Sequence, residues 1–294
     1  MDKVINARKD IRLGWLPDSP DHRDKVFSHP ILPATLPTSV DLTQKYSVPV
    51  VDQGQLGSCT GNAIASALAY LQLIENESLV YPSRLFIYYN ERVIEGTVGT
   101  DAGAEIRDGI KTVVAQGYCP ETDWAYDINR FTETPPTVAY TNASKDLVKL
   151  YQKVTVDTTS IMSALALGYP VIVGFTVYDS FLNAGNGDIP MPVLSEGVQG
   201  GHAVIVVGYD QTTRKFKFEN SWGTSWGNNG YGTLPFEYLG SAAYGGDYWI
   251  VTGDQSVGPT PTPIPIPPTP TPTPQPPGCN PFGFLVGLFG SGGG

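Results

Sequence analysis

Val51-Asp52-Gln53-Gly54-Gln55-Leu56-Gly57-Ser58-Cys59-Thr60-Gly61-Asn62-Ala63-Ile64-Ala65-Ser66-Ala67-Leu68-Ala69-Tyr70-Leu71 opens as a polar, glycine-rich loop and closes as a run of small and aliphatic residues. Ala63, Ile64, Ala67, Leu68 and Leu71 recur at three- and four-residue steps, the spacing of one buried helical face. Cys59 therefore stands at or near a helix start, where free backbone N–H groups and the helix dipole favour negative charge. A thiolate, the reactive form of cysteine, is expected there more readily than its ordinary value of ~8.5 implies. Gln53, six positions earlier, can aim its amide at the same point as the Cys59 N–H. Two such donors are what a developing oxyanion requires.

A lone cysteine is more often a small apolar residue under a loop. Two distant stretches change that reading. Gly200-Gly201-His202-Ala203-Val204-Ile205-Val206-Val207-Gly208-Tyr209 puts a histidine at the mouth of an apolar strand. Phe218-Glu219-Asn220-Ser221-Trp222-Gly223-Thr224-Ser225-Trp226-Gly227 supplies an asparagine followed by two tryptophans among glycines.

The segments QGxxGSC, GHAVxxxGY and NSWGxxWGxxGYG occur in that order, and on them the chain resembles the papain family of cysteine peptidases. The resemblance implies an α+β, two-lobe fold: a helical left lobe, an antiparallel β-barrel-like right lobe, and the active site in the cleft between them. It implies Cys59, His202 and Asn220 as catalytic residues, with Gln53 and the Cys59 N–H as the oxyanion hole. It implies Trp222 as a cover over the His202–Asn220 hydrogen bond, and Gly103 as the backbone partner of extended substrate. Gly174, Gly200 and Ala203 match the positions lining the main specificity pocket. Their small size suggests a roomy pocket tolerant of bulky apolar side chains. Thr60 stands where an aromatic residue usually follows the cysteine, and Gly201 where an acidic or amide residue often precedes the histidine. The chain looks most like the compact members found in bacteria and large DNA viruses.

The expected activity is that of a thiol protease, a hydrolase that cleaves peptide bonds through a thioester intermediate, read here as an endopeptidase. A catalytically silent binding protein, or an exopeptidase or acyl-transfer enzyme on the same site, are the alternatives. A polypeptide is the expected substrate, and no cofactor or metal is called for.

Composition agrees. A net charge of -10 argues against nucleic acid or an anionic membrane as partner. No run approaches the roughly 18 consecutive apolar residues of a membrane span. The charged opening MDKVINARKDIRLGW shows no secretory signal. The three cysteines are Cys59, Cys119 and Cys279. Leu56 and Thr100 occupy the positions that match a disulfide of secreted relatives, so a reducing compartment, or packaging in a virion, is expected. Cys119 reads as structural, since no base can be assigned to it. A monomer is expected.

Four regions follow. Residues 1–38 are proline- and aspartate-broken, with Trp15 and Phe27 as anchors and with His22 and His29 as solvated loop residues. This arm is an extended belt on the domain, or a short pro-segment lying in the cleft. Residues 39–255 form the peptidase domain, with helices after Tyr81 and through Gly99–Gly117 and Ile161–Leu167. Strands are expected over Tyr169–Tyr178, Ala203–Tyr209, Lys215–Phe218, Tyr231–Leu234 and Tyr248–Val251. Residues 256–278 are a Pro/Thr-rich polyproline spacer. Residues 279–294 form an apolar, glycine-rich tip, read either as docking onto a protein or lipid surface or as a tail without consequence.

Overall fold

A computed structural model describes residues 11–28, 35–143, 150–193 and 195–253. By its contacts the chain divides into Met1–Pro261 and Thr262–Gly294. All described residues belong to the first unit, so the readings of the spacer and apolar tip lie outside them.

In chain order the strands are β1 (Trp15–Leu16), β2 (Ser39–Asp41), β3 (Ala104–Glu105), β4 (Leu150–Val154), β5 (Val171–Tyr178), β6 (Val198–Asp210), β7 (Lys215–Glu219), β8 (Tyr231–Pro235) and β9 (Gly245–Thr252). The helices are α1 (Cys59–Ile74), α2 (Arg84–Glu95), α3 (Ile106–Gln116), α4 (Thr137–Ala143), α5 (Thr158–Ala166), α6 (Asp179–Asn183) and α7 (Phe236–Leu239).

α1 begins at Cys59 itself and is buried on nearly every side, from Cys59 to Gln72. Its small residues allow this: alanine and glycine let α2, α3 and the sheet approach closely. α2 starts where Ser83 Oγ accepts the Phe86 N–H, and stops at Gly96, whose φ of 72° is the left-handed cap conformation. α1, α2 and α3 make the helical lobe.

The other lobe is a sheet in the order β4-β9-β5-β6-β7-β8, with β2 added against β6, and all its pairings are antiparallel. Its central strands are continuously apolar because both faces are covered. One core cluster joins α1 to this sheet, while a smaller cluster beneath α2 holds Leu56, Phe86, Cys119 and Trp124. The fold is thus the α+β, two-lobe arrangement.

Sequence periodicity misses β4, whose residues are mostly half-buried and give no alternation. Its partner pattern is tertiary: Lys153 N donates to Lys25 O and Phe27 N donates to Lys153 O, both at 2.8 Å. The arm thereby covers the free edge of β4. Both expected anchors, Trp15 and Phe27, are buried. Among the described residues, no helix is long and apolar enough to cross a membrane.

Candidate active site

The loop before α1 is tied to the segment after β7. Gln53 N donates to Ser221 O at 2.8 Å and Gly223 N to Val51 O at 3.0 Å. Ser221 Oγ donates to Gln53 Oε1 at 2.6 Å, which turns the amide so that its Nε2 points the other way. That Nε2 donates to Leu56 O and to Arg12 O, each at 2.9 Å. A peptide carbonyl is therefore already seated on one of the two expected oxyanion donors.

His202 sits on β6, opposite Phe175 of β5. Its Nε2 lies 2.8 Å from Asn220 Oδ1. The same Oδ1 accepts the Ser221 N–H at 2.9 Å, which identifies it as the carbonyl oxygen and so places the proton on Nε2. Nδ1 is left with the lone pair, and among the described residues it has no hydrogen-bond partner. Trp222 stacks on the imidazole at 4.9 Å and 27°, and Phe175 and Phe181 present their edges to it. Beside Asn220, the buried Glu219 carboxyl accepts from Ser66 Oγ at 2.9 Å and Tyr70 OH at 3.2 Å. It ties α1 to the strand that presents the asparagine, a role the sequence pattern does not announce. Burial pushes Glu219 up to about 7.

Cys59 stands at the first residue of α1 as expected, but burial opposes the thiolate that the helix start favours. The thiol is wholly buried. Burial pushes it up to about 12, although the backbone N–H groups of Ala203, Gly14 and Thr60 face it and pull the other way. Burial likewise lowers His202 to about 4, against the Asn220 hydrogen bond. Desolvation outweighs the dipole because both groups have lost water entirely. Burial thus favours the neutral form of both groups.

The arm closes over Cys59. β1 pairs in parallel with β3, Trp15 opposite Ala104 and Leu16 opposite Glu105. Ala104 N donates to Gly14 O at 2.8 Å. The arm pairs at Ala104, while Gly103, the expected backbone partner of substrate, abuts it. Gly14 threads between Gly57 and Gly103; a Cβ on Gly14 would lie 1.8 Å from Gly57 O. Trp15 fills a slot walled by glycine: a Cβ on Gly174 would come within 2.2 Å of its Nε1, on Gly201 within 2.6 Å of its Cε3, and on Gly246 within 2.8 Å of its Cζ2.

Of the three expected pocket positions, then, Gly174 lies under Trp15. Gly200 lies against Leu13 instead. Ala203 turns its N–H toward Cys59, which brings the sulfur beside the strand of His202. Gly201 and Gly246 are wall residues that sequence reasoning missed. For Gly201 the signal was the doubled glycine before His202. Gly246, far along on β9, gave none. Cys119 is buried and unbridged, as is Cys59. His22 remains in the arm, away from the site, and His29 lies outside the described residues. Among the described residues no cluster could hold a metal ion.

Known proteins resemble this chain in sequence and fold. The family model for papain family cysteine proteases matches residues 36–238. A peptidase C1-like protein of Acanthamoeba polyphaga mimivirus is 37% identical over 266 residues, covering 81% of this chain and 86% of its own. The crystal structure of xylellain, a cysteine protease from Xylella fastidiosa, superposes with a TM-score of 0.79 at 38% identity, covering 84% of this chain and 98% of that one. A Carica candamarcensis cysteine protease in complex with E-64 shares the fold at a TM-score of 0.58 and 21% identity, covering 75% of this chain and 100% of its own. The chain belongs to the papain family of cysteine proteases. It is a cysteine peptidase, with relatives in viruses and bacteria.

Proposed function

We propose that Cys59 is the nucleophile, His202 its base and Asn220 the residue that orients the imidazole, in an endopeptidase whose cleft is closed by its own N-terminal arm. The observation that carries this is the Arg12 carbonyl held at 2.9 Å by Gln53 Nε2. A peptide oxygen thus occupies one of the two donors that the oxyanion of a substrate would use. When the arm leaves and water enters, the desolvation that favours the neutral form of both groups is relieved. The thiol proton then passes to His202 Nδ1, and Cys59 Sγ attacks the scissile carbonyl carbon. Gln53 Nε2 and the Cys59 N–H stabilise the tetrahedral oxyanion. His202 gives its proton to the leaving amine as the C–N bond breaks, and water, deprotonated by His202, hydrolyses the thioester.

The endopeptidase reading is supported by the extended arm segment Trp15–Leu16, which pairs along the cleft with Ala104–Glu105. Residues 39–255 are then the peptidase domain, a polypeptide its substrate, and residues 1–38 the blocking pro-segment.

Intact mass after exposure to a peptidyl epoxide checks the nucleophile. One adduct is expected on the parent and none on Cys59→Ala; an adduct on both would reassign it. Cleavage of a peptide blocked at both ends checks the endopeptidase reading, and failure to cut it while trimming an unblocked peptide would favour an exopeptidase.

Substrate preference follows from the Trp15 slot. Its walls are backbone, and the buried Trp15 Nε1 has no partner among the described residues. An apolar ring without a donor suits it best, since an unpaired buried N–H costs about 1–3 kcal/mol. A peptide library is expected to favour Phe over Trp, and both over Ala or Asp, at the residue entering this slot. Gly246→Val is expected to shift that preference toward small residues. A library selecting a charged residue would sink the assignment.

A further inference from the structure

We propose that Asp18 and Asp247 form a pH-sensitive latch, which holds the arm in the cleft at acid pH and releases it as the solution turns alkaline. The proposal rests on the reading of the arm as a block. It stands on an imbalance of charge where the arm leaves the cleft. Asp18 N donates to Asp247 Oδ2 at 2.7 Å, which brings an arm aspartate directly against an aspartate of β9. Asp18 Oδ2 accepts from Trp249 Nε1 at 2.8 Å and its Oδ1 accepts from Arg107 N at 3.1 Å.

Every neighbouring element adds charge to this junction. From α3, Arg107 pairs with Asp24 of the arm at 3.0 Å, and Glu105 of β3 lies 3.6 Å from the same guanidinium. From β4, Lys153 lies 3.7 Å from Asp247 and 4.0 Å from Asp24. Docking thus gathers four carboxylates, Asp18, Asp24, Glu105 and Asp247, around two cations, Arg107 and Lys153. The guanidinium also donates to Ser19 O, and the Ser19 hydroxyl and N–H donate to Glu105 at 2.9 and 3.0 Å. Arg107 serves Asp18 as well as Asp24 and Glu105, and Lys153 serves Asp24 and Asp247, so two cations are divided among four carboxylates and the Asp247 charge opposes ionisation of Asp18.

The direction follows from linkage. Burial, and then the Asp247 charge, push docked Asp18 up to about 7. Released into water, an aspartate titrates near ~3.9. The docked form binds the proton more tightly, so its contribution to docking is full below ~3.9 and is lost as pH rises through about 7. Over that interval one proton is linked to release, which sets a ceiling of roughly tenfold per pH unit.

The test measures peptidyl-epoxide labelling of Cys59 in the full chain from pH 5.5 to 8.5. Each rate is divided by that of Trp15→Ala at the same pH, which cancels the thiol's own ionisation. The ratio, a measure of how often the arm is off, is expected to rise at least about tenfold across the range. Asp18→Asn should flatten the rise, and Asp247→Asn, which removes the like charge, should both flatten it and keep the arm on at high pH. A ratio that stays level or falls in the parent would overturn the latch, as would an undiminished rise in both variants. If Trp15→Ala labels no faster than the parent at any pH, the blocking role itself fails and the latch with it.

Discussion

Trp15→Ala is expected to raise the rate of epoxide labelling at Cys59 by on the order of 10²-fold or more at neutral pH. Removing a large buried aromatic side chain costs about 3–5 kcal/mol, and each 1.4 kcal/mol is a factor of ten in an opening equilibrium. The Trp15 indole is the arm's largest buried contact in the cleft, since the neighbouring residues Arg12 and Leu16 are exposed and Gly14 has no side chain. Its loss leaves the arm held there by the Ala104–Gly14 and Gln53–Arg12 hydrogen bonds. The belt at β4 and the aspartate latch survive the change, so the chain should remain folded with an open cleft. A single cooperative melting transition, together with fast labelling, is the supporting result. Labelling at the parental rate would mean that something other than the arm keeps the thiol silent.

The second large effect is expected at Gln53, measured in the Trp15→Ala background so that arm release does not mask the chemistry. Gln53→Ala should lower kcat by on the order of 10²–10³ with little change in KM, because the amide is needed where charge develops and not where substrate first binds. The fixed direction of Nε2 is the reason for so large a number. Ser221 Oγ holds Oε1 at 2.6 Å, and Tyr126 OH holds the backbone oxygen of the same residue at 2.8 Å. The donor therefore needs no reorganisation as the oxyanion forms. The same substitution frees the Arg12 carbonyl, so in the otherwise unaltered chain it should speed arm release while slowing turnover. An unchanged kcat would remove Gln53 from the oxyanion hole, and a fall in kcat matched by an equal rise in KM would assign it to binding.

Much of the fold was legible in the chain because it depends on local pattern. The three-and-four spacing from Ala63 to Leu71 marks α1 and places Cys59 at its first residue, and the apolar run from Ala203 to Tyr209 marks the middle of β6. Gly96 and Gly117 mark helix ends by backbone conformation alone. β4 was not legible, since an edge strand with half-buried residues carries no period. Pocket positions were legible only in part. Gly174 lies next to a recognisable strand, whereas Gly246 acts through what its missing side chain leaves open to a residue 231 positions away.

The family and the two lobes could be read from the chain, as could the proposed groups Gln53, Cys59, His202 and Asn220, because each sits in a short motif whose neighbours fix its local geometry. The surroundings of those groups depend on long-range packing. A cysteine at a helix start is activated when water reaches it and silenced when it does not, and solvent access is a property of long-range packing. Nothing local to Cys59 tells that Gly14 will lie against Gly57, or that Trp15 will find the glycines of β5, β6 and β9. The charge at Asp18 is likewise undecided until Asp247, Arg107 and Lys153 are brought around it from three separate elements. Burial and neighbouring charge set proton affinity, and both are assembled by the fold.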